Sequence, residues 1–309
     1  MTGEREQWTS RTGFVLATIG AAVGLGNIWR FSYVAGENGG GAFLIVYLLC
    51  VIFIGAPIVI AELAMGRAGQ GDAVAAFEIP AKRPAWRWLG WIGVAGSTLI
   101  LSYYSVIAGW ALKYFVGGAT GVLWTTASEG YGAYFSAFIS HIGEPLGWQI
   151  AMLGMAMFIV VGGVQRGIEA ANKVLMPALA TFVVGLAIYA ATLPGAGAGW
   201  RFLFIPDWSA LADRRLYIAA MGQAFFSLGI GMAVFATYAS YMSRETKIPV
   251  SASAVIFGDT LFAIVAGLAI FPAVFAFGLS PEAGPQRASI TPPPIVPSTP
   301  GRRALAPLL

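Results

Sequence analysis

The chain has 309 residues, of which 58% are hydrophobic and only 10% charged, with a net charge of +4; an ordinary soluble domain carries about 25% charged residues. So much apolar surface excludes a soluble globular protein, and basic residues scattered singly rather than striped with aromatics exclude a nucleic-acid surface. One cysteine (Cys50) and one histidine (His141) leave no disulfide within the chain, no metal cluster and no nucleophile–base pair, so an enzyme is not expected.

The start of the chain is polar, and its first apolar run continues into a longer hairpin, so no cleavable signal peptide is expected. Seven stretches have the length and apolarity of bilayer spans: residues 12–36, 41–65, 89–117, 146–163, 171–193, 216–242 and 250–279. With the amino terminus in the cytoplasm, the inner side collects Arg5, Arg11, Arg67, Lys82, Arg83, Arg87, Arg166, Lys173, Arg244 and Lys247. The connection 118–145 has no Lys or Arg and falls outside. Arg201, Arg214 and Arg215 run against this orientation, but the balance favours it. Residues 1–279 are thus expected to form one transmembrane domain. Residues 280–309 are proline-rich, with Arg302 and Arg303 adjacent, and are expected to be extended or disordered.

Two spans contain what an ordinary membrane helix avoids. In the first, Gly20, Gly24, Gly26 and Asn27 fall at mid-membrane; in the sixth, Ser227, Gly229 and Gly231 do. Glycine disfavours continued helix, and a broken helix is tolerated at bilayer depth only where its freed peptide groups find partners inside the protein. Paired breaks point to a transporter binding site. Carbonyls released at Ala22 and Val23 suit a small hard cation. Amides released at Leu25 and Gly26, opening a half-helix, suit a carboxylate. Close helix packing explains such glycines equally well, and spacing alone does not separate the two. Arg30, Glu62 and Asp259 sharpen the choice, because ionisable groups within spans are functional candidates by default. Glu62, near the inner end of its helix, is open to a purely structural role.

Several motifs carry a family resemblance: Arg5-Glu6-Gln7-Trp8, Gly24-Leu25-Gly26-Asn27-Ile28-Trp29-Arg30-Phe31, Glu37-Asn38-Gly39-Gly40-Gly41-Ala42-Phe43, Glu62-Leu63-Ala64-Met65-Gly66-Arg67, Gly222-Gln223-Ala224-Phe225-Phe226-Ser227-Leu228 and Thr237-Tyr238-Ala239-Ser240-Tyr241. From about residue 4 to about 285 the chain resembles the neurotransmitter:sodium symporter family. The resemblance implies an all-α, LeuT-type inverted-repeat membrane fold, of which this chain holds the first seven helices, with helices 1 and 6 broken. The first repeat would cover about residues 12–193, and the second would begin over about 216–279. It also implies sodium-coupled symport of an amino acid or amine by alternating access across the cytoplasmic membrane.

Carried over residue by residue, a first sodium site would use the Ala22 carbonyl and the side chains of Asn27, Ser227 and Asp259. A second would use the carbonyls of Gly20 and Val23. The substrate carboxylate would meet the Leu25 and Gly26 amides and the Tyr104 hydroxyl, and its side chain would face Ile100, Phe226, Gly229 and Met232. Arg30 would belong to an outer gate; Arg5, Trp8 and Tyr241 to an inner one. Members that carry monoamines have aspartate where this chain has Gly24, so an amino acid is favoured. Gly229 replaces a hydroxyl residue of some relatives, leaving room for a large apolar or aromatic side chain.

Chloride-binding members use residues matching Tyr47, Gln223 and Ser227, plus a hydroxyl residue at the position of Ala263. Asp259, where many members have asparagine, would supply that negative charge, so chloride is not expected to be required. The resemblance ends near residue 285. The missing helices would complete the second sodium site and supply acidic partners for Arg5 and Arg30, so a truncated reading frame is expected, inactive alone. The alternative is a non-transporting or regulatory fragment. The partners implied are an amino-acid substrate, sodium ions, the lipid bilayer and, in a homodimer, a second copy of the chain.

Overall fold

The computed structural model describes residues 6–123, 131–276, 278 and 280–281. The described chain is built almost wholly of helices. α1 (Arg11–Ala22) begins at Ser10, whose extended backbone lets its hydroxyl accept from the Gly13 N–H at 2.9 Å, satisfying an amide the helix cannot. It stops at Val23 (φ −73°, ψ 124°). A π-helical turn, Gly26–Arg30, then runs into α2 (Phe31–Glu37), bent by 55° from α1.

The second span is continuous over Gly41–Gly69: α3 (Gly41–Cys50), a π-turn (Val51–Gly55) and α4 (Ala56–Gly69). A short α5 (Ala75–Ala81) precedes α6 (Arg87–Thr120), the third span. Next come α7 (Tyr131–Ser140), α8 (Gly143–Val161), a π-turn (Val164–Glu169), α9 (Ala170–Ala191) and α10 (Ala196–Phe204). The sixth span is in two pieces, α11 (Arg214–Leu228) and α12 (Val234–Ala239), and α13 (Ile248–Ala276) is the seventh.

Five of these helices are individually long and apolar enough to cross a membrane, and the bent α1–α2 pair makes a sixth. The α11 and α12 pieces are each too short, because the intervening chain turns left-handed at Gly229 (φ +66°), Gly231 (φ +81°) and Ala233 (φ +57°). Two of those three positions are glycine, which alone enters that region without steric cost. Helices 1 and 6 are therefore broken where the glycine clusters lie. Three helices not foreseen from hydropathy fill connections: α5, α7 and α10. They are too short, or too mixed in composition, to register as spans.

The core forms where the two broken helices meet the second and seventh spans. Phe14, Phe31, Phe43, Tyr47, Val59, Leu63, Leu216, Phe235 and Phe271 are all buried there. Gly66 permits this closeness: a Cβ on it would lie 2.0 Å from the Ala236 carbonyl oxygen of α12. The outer helices turn apolar side chains outward instead. α8 buries no residue, and its Phe158 is 84% exposed, a surface suited to lipid rather than water.

Candidate ion and substrate site between two helix breaks

The break in the first span is a rerouting of four amides. In an unbroken helix the N–H groups of Gly24, Leu25, Gly26 and Asn27 would bond the carbonyls of Gly20, Ala21, Ala22 and Val23. Here Gly24 N–H donates to Asn27 Oδ1 (3.1 Å), and Asn27 N–H to the Gly24 carbonyl (3.1 Å). Leu25 N–H donates to the Tyr104 hydroxyl (2.9 Å), which the Gly26 N–H also faces. The carbonyls of residues 20–23 are thus left without their helical donors, on the chain's own geometry.

Across from them, Asn27, Ser227 and Asp259 converge from three different spans. Asn27 Nδ2 donates to Asp259 Oδ1 (2.7 Å), to the Asp259 carbonyl (3.2 Å) and to Ser227 Oγ (3.0 Å). The Ser227 hydroxyl donates to Asp259 Oδ2 at 2.7 Å. Asp259 is 0% exposed, and among the described residues no Lys or Arg forms an ion pair with it. A carboxylate so far from water requires a positive counter-charge or a proton. The Asp259 carboxylate and Ser227 hydroxyl, beside the released carbonyls, offer hard oxygen donors, while Asn27 turns its Nδ2 toward them and its Oδ1 toward the Gly24 N–H.

The expected substrate-facing residues surround the same break. The Tyr104 hydroxyl lies 2.9 Å from where a Gly24 Cβ would project, and the Phe226 ring 2.9 Å from the corresponding point on Gly26. Side chains at 24 or 26 would therefore fill the space beside the amides. The Met232 carbonyl accepts from the Ser97 hydroxyl (2.9 Å), pinning the sixth-span break to the third span, and the Met232 methyl lies 3.1 Å from the Cβ direction of Gly229. Ile100 is half-buried one helical turn before Tyr104 on α6. Gly20 packs against α9: a Cβ there would fall 1.9 Å from Asn172 Oδ1 and 3.1 Å from Met176 Sδ.

At one end of the site, Arg30 donates to Gln223 Oε1, and its guanidinium lies 4.7 Å from the Phe226 ring centroid. At the other, the Trp8 indole donates to the Tyr238 carbonyl (2.9 Å), and its backbone N–H to the Tyr241 carbonyl (3.2 Å). The Trp8 ring packs edge-on to Tyr241 and Phe14. Arg5 lies outside the described residues.

Several contributing residues were not assigned these contacts from sequence. Gln223, fully buried, donates Nε2–H to the Gly26 carbonyl (3.0 Å), bracing one break with the other. Glu62, 6% exposed, accepts from the Gly231 N–H (2.8 Å); it anchors the sixth-span break from the second span. The chain before α1 is tied to the start of the fifth span. Glu6 accepts from the Val164 and Gln165 N–H groups, and Glu169 accepts from Thr9 and pairs with Lys173 at 2.8 Å. Lys113, buried in α6, pairs with Glu144 (2.8 Å) and lies 3.6 Å from the Phe138 ring centroid. A polar residue within an apolar span is the available signal for Gln223 and Lys113; their partners depend on helix packing.

Known proteins carry the same chain pattern. Residues 5–134 and 133–279 match the Sodium:neurotransmitter symporter family. The chain is 43% identical over 279 residues to the Uncharacterized sodium-dependent transporter YhdH of Bacillus subtilis, covering 90% of this chain and 62% of that protein. It is 35% identical over 292 residues to an uncharacterized sodium-dependent transporter of Haemophilus influenzae, covering 91% and 64%. It thus spans less than two thirds of the length of these relatives. The crystal structure of MhsT in complex with L-phenylalanine aligns with a TM-score of 0.92 and 51% identity, over 98% of this chain and 69% of that one. Two glycine-broken spans, their polar residues meeting at the breaks, and a family match from residue 5 to residue 279 agree: this chain is a multi-pass membrane protein that belongs to the sodium:neurotransmitter symporter family.

Proposed function

We propose that the chain carries the ion and substrate sites of a sodium-coupled symporter for a neutral amino acid with a large apolar or aromatic side chain. Alternating access would move that substrate across the cytoplasmic membrane, with the amino terminus inside. The observation that carries this reading is the convergence of Asn27, Ser227 and Asp259 on the broken first helix. Sodium would sit among those side chains and the Ala22 carbonyl, its charge balanced by Asp259. A second sodium would take the Gly20 and Val23 carbonyls.

The substrate carboxylate would meet the Leu25 and Gly26 amides and the Tyr104 hydroxyl, which would turn to donate. Its side chain would lie among Ile100, Phe226, Gly229 and Met232. Phenylalanine is a reasonable first ligand, since the MhsT structure is a complex with L-phenylalanine. Arg30 would close the outer side; Arg5, Trp8 and Tyr241 the inner. Because Asp259 already places a negative charge at the ion, chloride would not be required.

Activity of the whole protein is part of this proposal, because the chain spans 62% of the YhdH relative. The test is equilibrium binding of radiolabelled phenylalanine to the purified chain in sodium and in potassium, followed by uptake into proteoliposomes. Binding that demands sodium and ignores replacement of chloride by gluconate supports the reading. Equal binding in potassium refutes it. Sodium-dependent binding without uptake would separate the site from transport and favour the non-transporting reading.

A further inference from the structure

Away from the breaks, the loop between the sixth and seventh spans forms an open basic cleft with the end of α4. It measures about 470 Å³ and is lined by Arg67, Arg244, Glu245, Thr246, Lys247, Ile248, Pro249 and Val250. Arg67 shapes its floor by donating to the Thr246 carbonyl at 2.6 Å. Arg244 and Lys247 are exposed, and among the described residues neither side chain is in an ion pair or hydrogen bond. Three cations against the single Glu245 leave the cleft with a net +2 on its own side chains. It opens at the first turn of α13, where a membrane-spanning helix leaves the interface.

From the cleft an apolar path runs up α13. Val250 (45% exposed), Phe257 (68%) and Leu261 (46%) are spaced seven and four residues apart, which places them on one helix face. The eleven helical steps from Val250 to Leu261 rise about 16 Å, the reach of most of an acyl chain. The path ends at a groove of about 260 Å³ whose walls include Leu16, Ile19, Pro177, Val184, Leu261 and Val265. A cationic cleft at the base of a helix face that carries exposed apolar side chains over this length suits an amphiphile with an anionic head and a long tail.

We infer that this face holds an anionic diacyl phospholipid, its phosphate on Arg244 and Lys247 and one acyl chain along Val250, Phe257 and Leu261. Charge complementarity sets the lipid class: a zwitterionic head brings a choline cation into a pocket already positive. Clusters of basic residues at the cytoplasmic edge of a span attract anionic headgroups, each Lys or Arg contributing about fivefold in affinity. Glu245 opposes the headgroup and sets an upper limit on its binding.

The test is native mass spectrometry of the purified chain after exchange with phosphatidylglycerol and phosphatidylcholine, counting lipids retained. The chain should retain phosphatidylglycerol preferentially. Arg244→Gln with Lys247→Gln should reduce that preference about thirtyfold, each single change about fivefold, and Glu245→Gln should raise it. Phe257→Ala should lower retention of phosphatidylglycerol without abolishing its preference. All four positions are exposed, and a circular dichroism spectrum confirms the fold of each variant. Unchanged preference in the double variant overturns the inference. So does displacement of the lipid by millimolar glycerol phosphate, which would mean a free-anion site, or a doubled mass replacing the bound lipid, which would mean that a second copy covers this face.

Discussion

Replacing Asp259 by asparagine isolates the charge at the centre of the proposed sodium site. Asparagine keeps the volume and can still accept from Asn27 Nδ2, now at 2.7 Å from Oδ1; only the Ser227 hydroxyl must rotate, since its present acceptor is Oδ2. A unit charge about 4 Å from a cation contributes about 4 kcal/mol at an effective dielectric of 20. Relief from burying an unpaired carboxylate returns part of this. The net loss in sodium affinity should be about 2–3 kcal/mol, or about 30- to 160-fold. The assay is thermal unfolding in detergent with sodium replaced stepwise by potassium. At a sodium concentration 100 times its Kd, the wild-type chain gains about 2.7 kcal/mol from binding; a 100-fold weaker site at the same concentration gains about 0.4 kcal/mol. The variant should therefore lose nearly all of its sodium-induced rise in Tm. In potassium it should melt no lower than wild type, because an uncompensated buried charge has been removed. An equal sodium-induced shift in both proteins would refute the assignment of Asp259 to the ion.

Tyr104→Phe removes the hydroxyl facing the Leu25 and Gly26 amides. It should weaken phenylalanine binding about tenfold or more, the value of one hydrogen bond to a charged group, read by scintillation proximity binding, while thermal unfolding should show the sodium-induced Tm shift little changed. Glu62→Gln keeps an acceptor for the Gly231 N–H and should cost little. Glu62→Ala removes the acceptor of the Gly231 N–H, which lies on an exposed residue that water can reach, and should destabilise by about 1 kcal/mol, read as a fall in Tm. Gly66→Ala drives a methyl to 2.0 Å from the Ala236 carbonyl oxygen. It should cost about 1–3 kcal/mol by overpacking, and a Tm equal to wild type would show that α4 and α12 are not in such close contact. Thr9→Val removes a hydroxyl that bonds Glu169. The Thr9 N–H still donates to Glu169, so the change should cost about 1 kcal/mol, read as a small fall in Tm; an unchanged Tm would show that the hydroxyl contributes nothing.

Much of the fold was legible because the constraint that shapes it acts on single segments. A membrane span must be long and apolar, so its existence shows in composition: α3–α4 covers the expected span 41–65, and α13 covers residues 250–276 of the expected span 250–279. The break in the first span was equally legible, since Gly20, Gly24, Gly26 and Asn27 together are poor helix. What sequence could not supply was the partner of each polar group. Arg30 invites an acidic neighbour, yet here it meets the Gln223 amide oxygen and the face of Phe226. In sequence Glu62 is open to function or structure; the fold sets its carboxylate against the Gly231 N–H. α7 and α10 lie in what hydropathy shows as plain connections, because short helices leave no such signal.

The amino-acid sequence by itself determined that this chain lives in a bilayer, that two of its spans break at mid-depth, and which residues stand at the breaks. These follow from local physics: apolar length, glycine's freedom and the absence of water for an unpaired peptide group. Tertiary structure decided which atoms face one another. Asn27, Ser227 and Asp259 are up to 232 positions apart in the chain, yet lie within 3.0 Å of one another through side-chain hydrogen bonds. Only the packing of three helices, each fixing the rotation of the next, brings those side chains to one point.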